Sequence, residues 1–548
     1  MFRKSEDSAQ LDIFKNLFSQ VGSKKRKKLE SLDSWHNKFH EKVTSKIDEG
    51  IFRVLYSDSV GRPNQSIRLL SSMIIIKEGL NLTDEQLYNR GSYDLQVMLA
   101  LGMTNIDDTL PSPSTYYLFK QMVEEYNESK RKDLFGDLFR SLASSIAKCF
   151  DISGKQTRMD SKLFSSNIAK STRLQLVIKS IQKWEKSNRN QVEKFSKENQ
   201  EVLKKITTSQ AENITYRMTK QEEAEMILKL GEVVKQLIDD QIGGDQNELM
   251  QRLFKEQFKQ EQESGKISLT DTKQLDGNTM QSPHDQDAAY RLKINGQKKQ
   301  RVRGFASNIT ETCDKENELQ IITSVQTEKV THSDTAFFQQ AIENTEKIVG
   351  QIEEVTTDGA YNSPANKDYI EDREQTQWNL QSIQGKPGFY EHEWVDEDQL
   401  QVTNVKTEEV QLAVKTDKGE YRITEKDESG KKKYKFRYFK RITIDNYFRR
   451  QQIEEDKKYT TKIRANVEST IGHVFYNLNG QKSKYRGIER NHIYVLSRCM
   501  WVNFIRIMKK IEKDQEELVN ILIIAMRTYV KGLRFILRNK KNLYCSTI

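Results

Sequence analysis

Cysteine and proline are both scarce in this chain of 548 residues, four of the first and six of the second. Cys149, Cys313, Cys499 and Cys545 stand singly, which leaves neither a disulfide framework nor a CxxC zinc pair. So few prolines argue against a proline-rich disordered scaffold. Long apolar runs are missing too: the longest, such as residues 73–76 and 521–526, fall far short of the ~20 residues of a membrane span. The opening MFRKSEDSAQ has no apolar signal core behind its charges, and no repeat of fixed period recurs. These absences lead to the expectation of a soluble, reduced, cytoplasmic protein with no membrane partner.

What the chain has in quantity is charge. Charged residues make up 31 %, and Lys plus Arg (89) exceed Asp plus Glu (79), for a net charge of +10. A basic balance on a protein of this size favours a polyanionic partner, most simply nucleic acid. At roughly 150 residues per domain the length suggests three or four units. Hydrophobic residues, at 36 %, are enough for a sizeable core.

The first 150 residues read as a helical unit. Apolar residues at Ile67, Leu70, Met73, Ile74 and Ile76 mark a helix over 67–77, with GRPNQS as the turn before it and Ser66 as its N-cap. Thr83 and Gln86 have capping-box spacing for a helix at 83–89. A further helix covers 93–101, and LPSPST opens another. A DNA-binding or dimerising module and a plain helical bundle fit this much equally well. Residues 156–163 are extended, and 172–258 form a long polar helical stretch. Its heptad spacing is patchy (Leu203, Ile206, Ile214), so helical hairpins are expected there and not one coiled coil. After a loop at 264–283, β-branched alternation marks strands at 289–292, 301–310 and 319–328. A helix at 334–348, a short strand at 353–357, a strand near 377–383 and a charged β-rich region at 399–440 follow. Helices at 461–477, 492–510 and 516–538 close the chain. Together these describe a mixed α/β core with insertions.

Three acids stand out by context. Asp160 lies on an extended piece that interrupts helical sequence, Asp358 ends a second strand before a glycine turn, and Glu468 sits on a helix four residues after Arg464. Two acids at adjoining strand ends with a third on a nearby helix would make a carboxylate cluster suited to Mg²⁺, a hard cation that takes oxygen ligands. Two such ions ~4 Å apart support phosphodiester displacement without a protein nucleophile. Each acid also has a plain structural use: strand-end aspartates cap turns, and Glu468 can pair with Arg464.

RMDSKLFSSNIA (158–169), VTTDGAYNS (355–363) and RANVESTIGHVF (464–475) resemble, in order and setting, the three catalytic blocks of DDE transposases from bacterial insertion sequences. GRPNQSIRLLSSMIIIKEGLNLTDEQLYNRGSYDLQVMLALGM and LPSPSTYYLFK are similar to that family's N-terminal helical domain. DQDAAYRLKINGQKKQRVRGFASNITET resembles the strands after the first block, and KYRGIERNHIYVLSRCMWVNFIRI the segment after the Glu. With gaps, the resemblance runs over 61–507.

It implies an RNase H-like mixed-sheet α/β core with a helical insertion and a β-rich insertion, preceded by an all-helical N-terminal domain. The expected units are a DNA-binding or dimerisation domain at 1–150, the core at 151–170 and 284–390, and a helical insertion at 171–283. A basic β-rich insertion at 391–445, core helices bearing the Glu at 446–512 and a C-terminal helix at 513–548 complete them. Asp160, Asp358 and Glu468 match the metal-binding catalytic triad, holding two Mg²⁺ ions (or Mn²⁺) with DNA bound. Arg464 matches the Arg one turn before the Glu and would contact DNA phosphate or steady the carboxylate. Lys482, Lys484, Tyr485 and Arg486 follow the Glu helix and are expected to contact DNA. Lys433, Lys435 and Arg437, in the basic and aromatic run KKKYKFRYFKR, would contact phosphate while neighbouring rings stack on bases; a solvated hairpin is the alternative. The chain departs from the family where a Tyr and a Lys often flank the Glu by seven residues: Thr461 and Phe475 stand there, with Tyr459 or Lys482 as substitutes. It also lacks the cysteine pairs of related elements in 399–440, so no zinc is expected. The implied activity is cut-and-paste transposition on double-stranded DNA, at terminal inverted repeats and a target, by a homodimer or larger assembly associated with the nucleoid. An inactive or host-adopted DNA-binding relative and a non-transposing nuclease are the alternatives.

Overall fold

The computed structural model describes residues 1–4, 21–243, 247–261, 265–295, 298–373, 375–383, 388–396, 399–426 and 434–545, with the side chains of 295, 298, 426, 456–465, 524–525 and 528–545 outside that description. The chain opens with α1 (Ser23–Leu29) and α2 (Trp35–Lys42). α3 (Ile67–Gly79) starts where the Ser66 side chain accepts from the Leu69 N–H, and α4 (Asp84–Tyr93) starts in the expected Thr83–Gln86 capping box. α5 (Leu95–Ala100), α6 (Pro113–Lys130) and α7 (Leu134–Cys149) are capped by Asp94, Ser112 and Asp133.

β1 (Gln156–Ser165) is the centre of the main sheet. After it come α8 (Arg173–Ser187), α9 (Lys197–Thr207), α10 (Ala211–Ile214), α11 (Lys220–Asp239) and α12 (Glu248–Gln257), then a small hairpin, β2 (Phe258–Gln260) with β3 (Ile267–Leu269). This block buries its own apolar cluster, including Val177, Ile181, Leu203, Leu230, Val234 and Leu253. It is a self-contained insertion. The sheet resumes with β4 (Ala289–Asn295), β5 (Lys298–Thr312) and β6 (Ile322–Lys329), then α13 (Asp334–Val349), β7 (Glu354–Thr357), α14 (Pro364–Glu371) and β8 (Gln377–Leu380).

Strand order across this sheet is β6–β5–β1–β7–β8, with β4 paired to the first half of β5. β5 runs antiparallel to both β1 and β6, whereas β7 is parallel to β1 and β8 parallel to β7. A second, all-antiparallel sheet contains β9 (Tyr390–Trp394), β10 (Leu400–Asn404), β11 (Val410–Lys415), β12 (Tyr421–Lys426) and β13 (Tyr434–Phe439). Two long helices finish the chain, α15 (Arg441–Phe475) and α16 (Ile488–Cys545). The molecule is thus a mixed α/β protein with N-terminal helices, a helical insertion and a β-rich insertion.

The N-terminal helices, α16 and one face of the main sheet share a single apolar core. Trp501 of α16 packs on Phe39 and lies so close over Gly79 that a Cβ there would fall 2.2 Å from its ring. Arg498, almost wholly buried, donates to the carbonyls of Glu78, Gly79, His473 and Val474, tying α3 and the end of α15 to α16.

Several boundaries differ from expectation. α15 begins at Arg441 and not near 461, because the intervening segment is polar and its helix is signalled by length and not by an apolar stripe. The break expected at 511–515 is absent: Ile-Glu-Lys-Asp-Gln contains no helix breaker, and α16 runs straight through. His36 is fully buried, with its Nε2 2.9 Å from the Leu29 carbonyl.

Candidate active site

Arg158 on β1 pairs with Thr356 on the parallel strand β7. Two residues further along each chain stand Asp160 and Asp358. Neighbouring strands are roughly 4.8 Å apart, and residues two apart share a face. The pairing therefore brings both acids to the region where β7 ends beside β1. The Asp160 carboxylate accepts from the Ser161 N–H at 2.8 Å, and Asp358 accepts from the Gly359 N–H at 2.5 Å. Gly359 suits this turn because a Cβ would meet the Ser382 carbonyl oxygen at 1.9 Å.

Glu468 lies on the exposed side of α15, while Val467, Ile471 and Val474 bury their side chains beneath it. It lines a cavity of about 490 Å³ together with Asp160, Ser161, Arg291, Lys293 and Asp334. Asp334, the first residue of α13, accepts from the Ser161 hydroxyl at 2.5 Å. Nothing in its local sequence marks it as more than a helix start; only the sheet brings it to Asp160. Arg291 and Lys293 alternate on β4, a period-2 signal that was legible within YRLKIN.

Under the acids lies Tyr361, fully buried, whose hydroxyl donates to Asn308 Oδ1 at 2.6 Å. Burial first, then the negative charges of Asp160, Asp334 and Asp358, push its pKa well above the ordinary tyrosine value. Three carboxylates thus act on one hydroxyl.

A separate network fixes the Glu helix to the sheet. Glu311 on β5 is wholly buried and accepts from Arg158 Nε (2.7 Å), Arg506 Nη2 (2.6 Å) and the Thr470 hydroxyl (2.9 Å). Arg158 is two residues from Asp160 and Thr470 two residues from Glu468, so this joint sets the distance between those acids.

The oxygen donors around the cavity, carboxylates, a hydroxyl and amides, are of the kind a hard divalent cation such as Mg²⁺ takes, and Lys162, Arg291 and Lys293 line it beside them. Among the described residues no three His, Cys, Asp or Glu side chains stand close enough together to hold a metal ion. The acids therefore surround the cavity without closing into a finished cage.

The remaining sequence-marked residues divide. Phe475 packs on Phe164, ring centroids 5.4 Å apart, and is a core residue. Lys482 is exposed, with its backbone bridged to Ser165 at the end of β1. Arg486 is exposed and donates to the Asn167 carbonyl at 2.8 Å. Lys484 donates to Asn81 Oδ1. Tyr485 is drawn into the fold: its hydroxyl donates to Glu78 and accepts from Lys77 Nζ at 3.1 Å, so it acts as a joint between α3 and the core. Lys435 and Arg437 point to the inner side of β13, where Glu425 pairs with them at 3.7 and 3.4 Å. The strand's alternation sends Tyr434, Phe436 and Tyr438 to the outer face, where all three are exposed. Lys433 and the side chains of Tyr459, Thr461 and Arg464 lie outside the described residues.

Residues 27–122 match the family described as a transposase domain (DUF772). The match spans α1 into α6, the helices packed against α16, and supports a transposase role for the chain. No curated protein and no solved structure matches the chain. Among the described residues no helix is long and apolar enough to cross a membrane.

Proposed function

We propose that the protein is a DNA transposase of the DDE type, with Asp160, Asp358 and Glu468 as its catalytic acids on an RNase H-like core. One observation carries the reading: Arg158 and Thr356, each two residues before an acid, are opposite one another in the parallel β1–β7 pairing, and Glu468 and Asp160 line a shared cavity, which supports a common site. The strand order β6–β5–β1–β7–β8, three antiparallel strands and then two parallel, is consistent with an RNase H-like core and supports this reading. The transposase domain match in the N-terminal helices supports the same role.

In this reading Asp160, Asp358 and Glu468 would hold Mg²⁺, which supplies charge stabilisation and an activated attacking oxygen in phosphodiester displacement. Arg291 and Lys293, at the rim, attract the DNA backbone and hold a phosphate against the acids. The Glu311 joint keeps Glu468 in register with β1. Lys482, exposed beside the end of β1, is the better placed substitute for the cation missing at Phe475. Double-stranded terminal repeats and target DNA are the substrates, handled by two copies or more.

The test is Mg²⁺-dependent nicking and joining of the element's terminal DNA, wild type beside Asp358→Ala. Cleavage and joining that vanish in the variant are expected. Wild-type binding without cleavage would recast the protein as a DNA-binding relative, and cleavage without joining would make it a nuclease.

A further inference from the structure

No described residue of the helical insertion lines the active-site cavity. Its first helix, α8, nevertheless carries Lys179, Lys183 and Lys186 at steps of four and three, on one face. The other side of α8, with Val177, Ile178, Ile181 and Trp184, belongs to the insertion's own core. Lys183 Nζ donates to the Pro283 carbonyl at 2.6 Å, where the chain returns towards the main sheet.

One strip of backbone joins the cavity to this helix. Gln481 lines the cavity, and its carbonyl accepts from the Ser165 N–H while the Ser165 carbonyl accepts from the Ser483 N–H, both at 2.8 Å. The Asn167 N–H donates to the Tyr485 carbonyl at 2.9 Å, so 481–485 run beside 165–167. Arg486 then donates to the Asn167 carbonyl, and the Gly487 N–H donates to Asp285, the neighbour of His284. The acids of this turn are engaged by the fold: Asp285 is buried and also takes the Ser166 hydroxyl, and Asp287 accepts from the Ile488 N–H. Lys170, Lys482 and Arg486 are exposed along the strip, and Lys186 is exposed on α8. None of these four, nor Lys183, is in an ion pair with a described residue. The two groups of cations meet at His284. Burial first, then the positive charges of Arg486, Lys183, Lys186 and Lys179, hold its pKa below 6.5. Unpaired like charge gathered from two units of a fold attracts a polyanion.

We propose that this strip is a track for the DNA backbone, in which Lys482 and Arg486 hold phosphates beside the cavity and Lys183 and Lys186 hold phosphates further along the same duplex. The helical insertion is thereby a clamp on the DNA that flanks the cleavage point. The track rests on the DNA substrate proposed above and not on the carboxylate chemistry. Contacts of this kind give affinity and position, not sequence preference.

Fluorescence anisotropy of the full chain with a labelled duplex of the element's terminal sequence, in EDTA, reads binding without cleavage. Lys183→Gln with Lys186→Gln should weaken binding about tenfold and lower the slope of log affinity against log salt by roughly 1.8, two phosphates at about 0.9 each. Lys183→Glu with Lys186→Glu should weaken it further, with helicity unchanged by circular dichroism. Lys204→Glu with Lys205→Glu, at two exposed lysines of α9, makes the same change in net charge and should leave affinity close to wild type. Equal losses in the two reversed pairs would reduce the effect to net charge and overturn the track. An unchanged salt slope in the glutamine pair would overturn it as well. The carboxylate reading fails separately: a wild type that binds the duplex but never nicks it with Mg²⁺ removes the catalytic acids and leaves the track standing. A wild type that does not bind the duplex overturns both.

Discussion

Two sets of acidic side chains share the main sheet and are built in opposite ways. Glu311 is wholly buried and met by Arg158, Arg506 and Thr470. Asp160, Asp334 and Asp358 instead surround one buried tyrosine hydroxyl, and Asp160 and Asp334 share with Glu468 a cavity also lined by Lys162, Arg291 and Lys293. The first arrangement neutralises one charge to hold strand and helices together. The second gathers several carboxylates around one buried hydroxyl. The paired carboxylate holds the structure together; on the proposed function, the gathered ones would receive a divalent cation.

The sharpest way to break this comparison is to neutralise one crowded acid. Asp160→Asn should lower nicking by ~10³-fold or more, since several kcal/mol of charge stabilisation depends on these groups. Its melting temperature should hold or rise, because like-charge repulsion is relieved. Millimolar MgCl₂ should raise the melting temperature of the wild type and leave that of the variant where it was, by linkage of ion binding to the folded state. A variant that melts several degrees lower and ignores Mg²⁺ only because it is unfolding would move Asp160 into the class of Glu311.

Glu311 should behave in the converse way. Glu311→Ala strands Arg158 and Arg506 without a counter-charge, and removal of one partner of a buried pair costs about 3–5 kcal/mol. Urea unfolding followed by intrinsic fluorescence measures the loss. Activity should fall with it through Glu468, whose helix then loses its anchor at Thr470. A loss under about 1 kcal/mol, the value of an ordinary hydrogen bond, would show that the network contributes no more than any surface pair.

Two of the gathered acids, Asp160 and Asp358, were legible in the sequence; Asp334 and the paired Glu311 were not. Asp160 lies within one strand signal and Asp358 ends another, and the period of a strand predicts which residues share their face. Glu311, within the strand segment NITET, looks like one more polar residue of an alternating strand; its partners lie 153 and 159 residues away on other elements. Asp334 likewise reads as an ordinary acid in the first turn of a helix. Strand order is set by pairing partners remote in the chain, so local pattern yields the elements and not their neighbours. In KKKYKFRYFKR the cations and rings were read together as one contact surface, but a strand separates alternate residues onto opposite faces. The long polar start of α15 was missed because periodicity reports an apolar stripe, which that segment hardly has.

A third acid, Asp133, gives the smallest effect and the finest test of what pairing does. It caps α7 and accepts from His492 Nε2 on α16 at 3.0 Å, joining the N-terminal helices to the core. Burial opposes charging of His492, but Asp133 outweighs it and the histidine pKa is raised above 6.5. Burial likewise opposes ionisation of Asp133, and His492 outweighs it, so that carboxyl is lowered below 3.8. A raised histidine contributes stability that is complete below the unfolded pKa and lost as pH rises through the folded one. A lowered carboxyl contributes stability present above its unfolded pKa and lost as pH falls through the folded one. The pair is therefore strongest between about pH 4 and 6.5 and fades on the alkaline side as His492 loses its proton. His492→Gln should cost about 1.5 kcal/mol at pH 6, the scale of a hydrogen bond to a charged group, and clearly less at pH 8.5. Melting curves of both proteins at the two pH values decide it. A deficit that stays the same at both would mean that the imidazole acts there as a neutral donor, and that this joint, unlike Glu311, holds without charge.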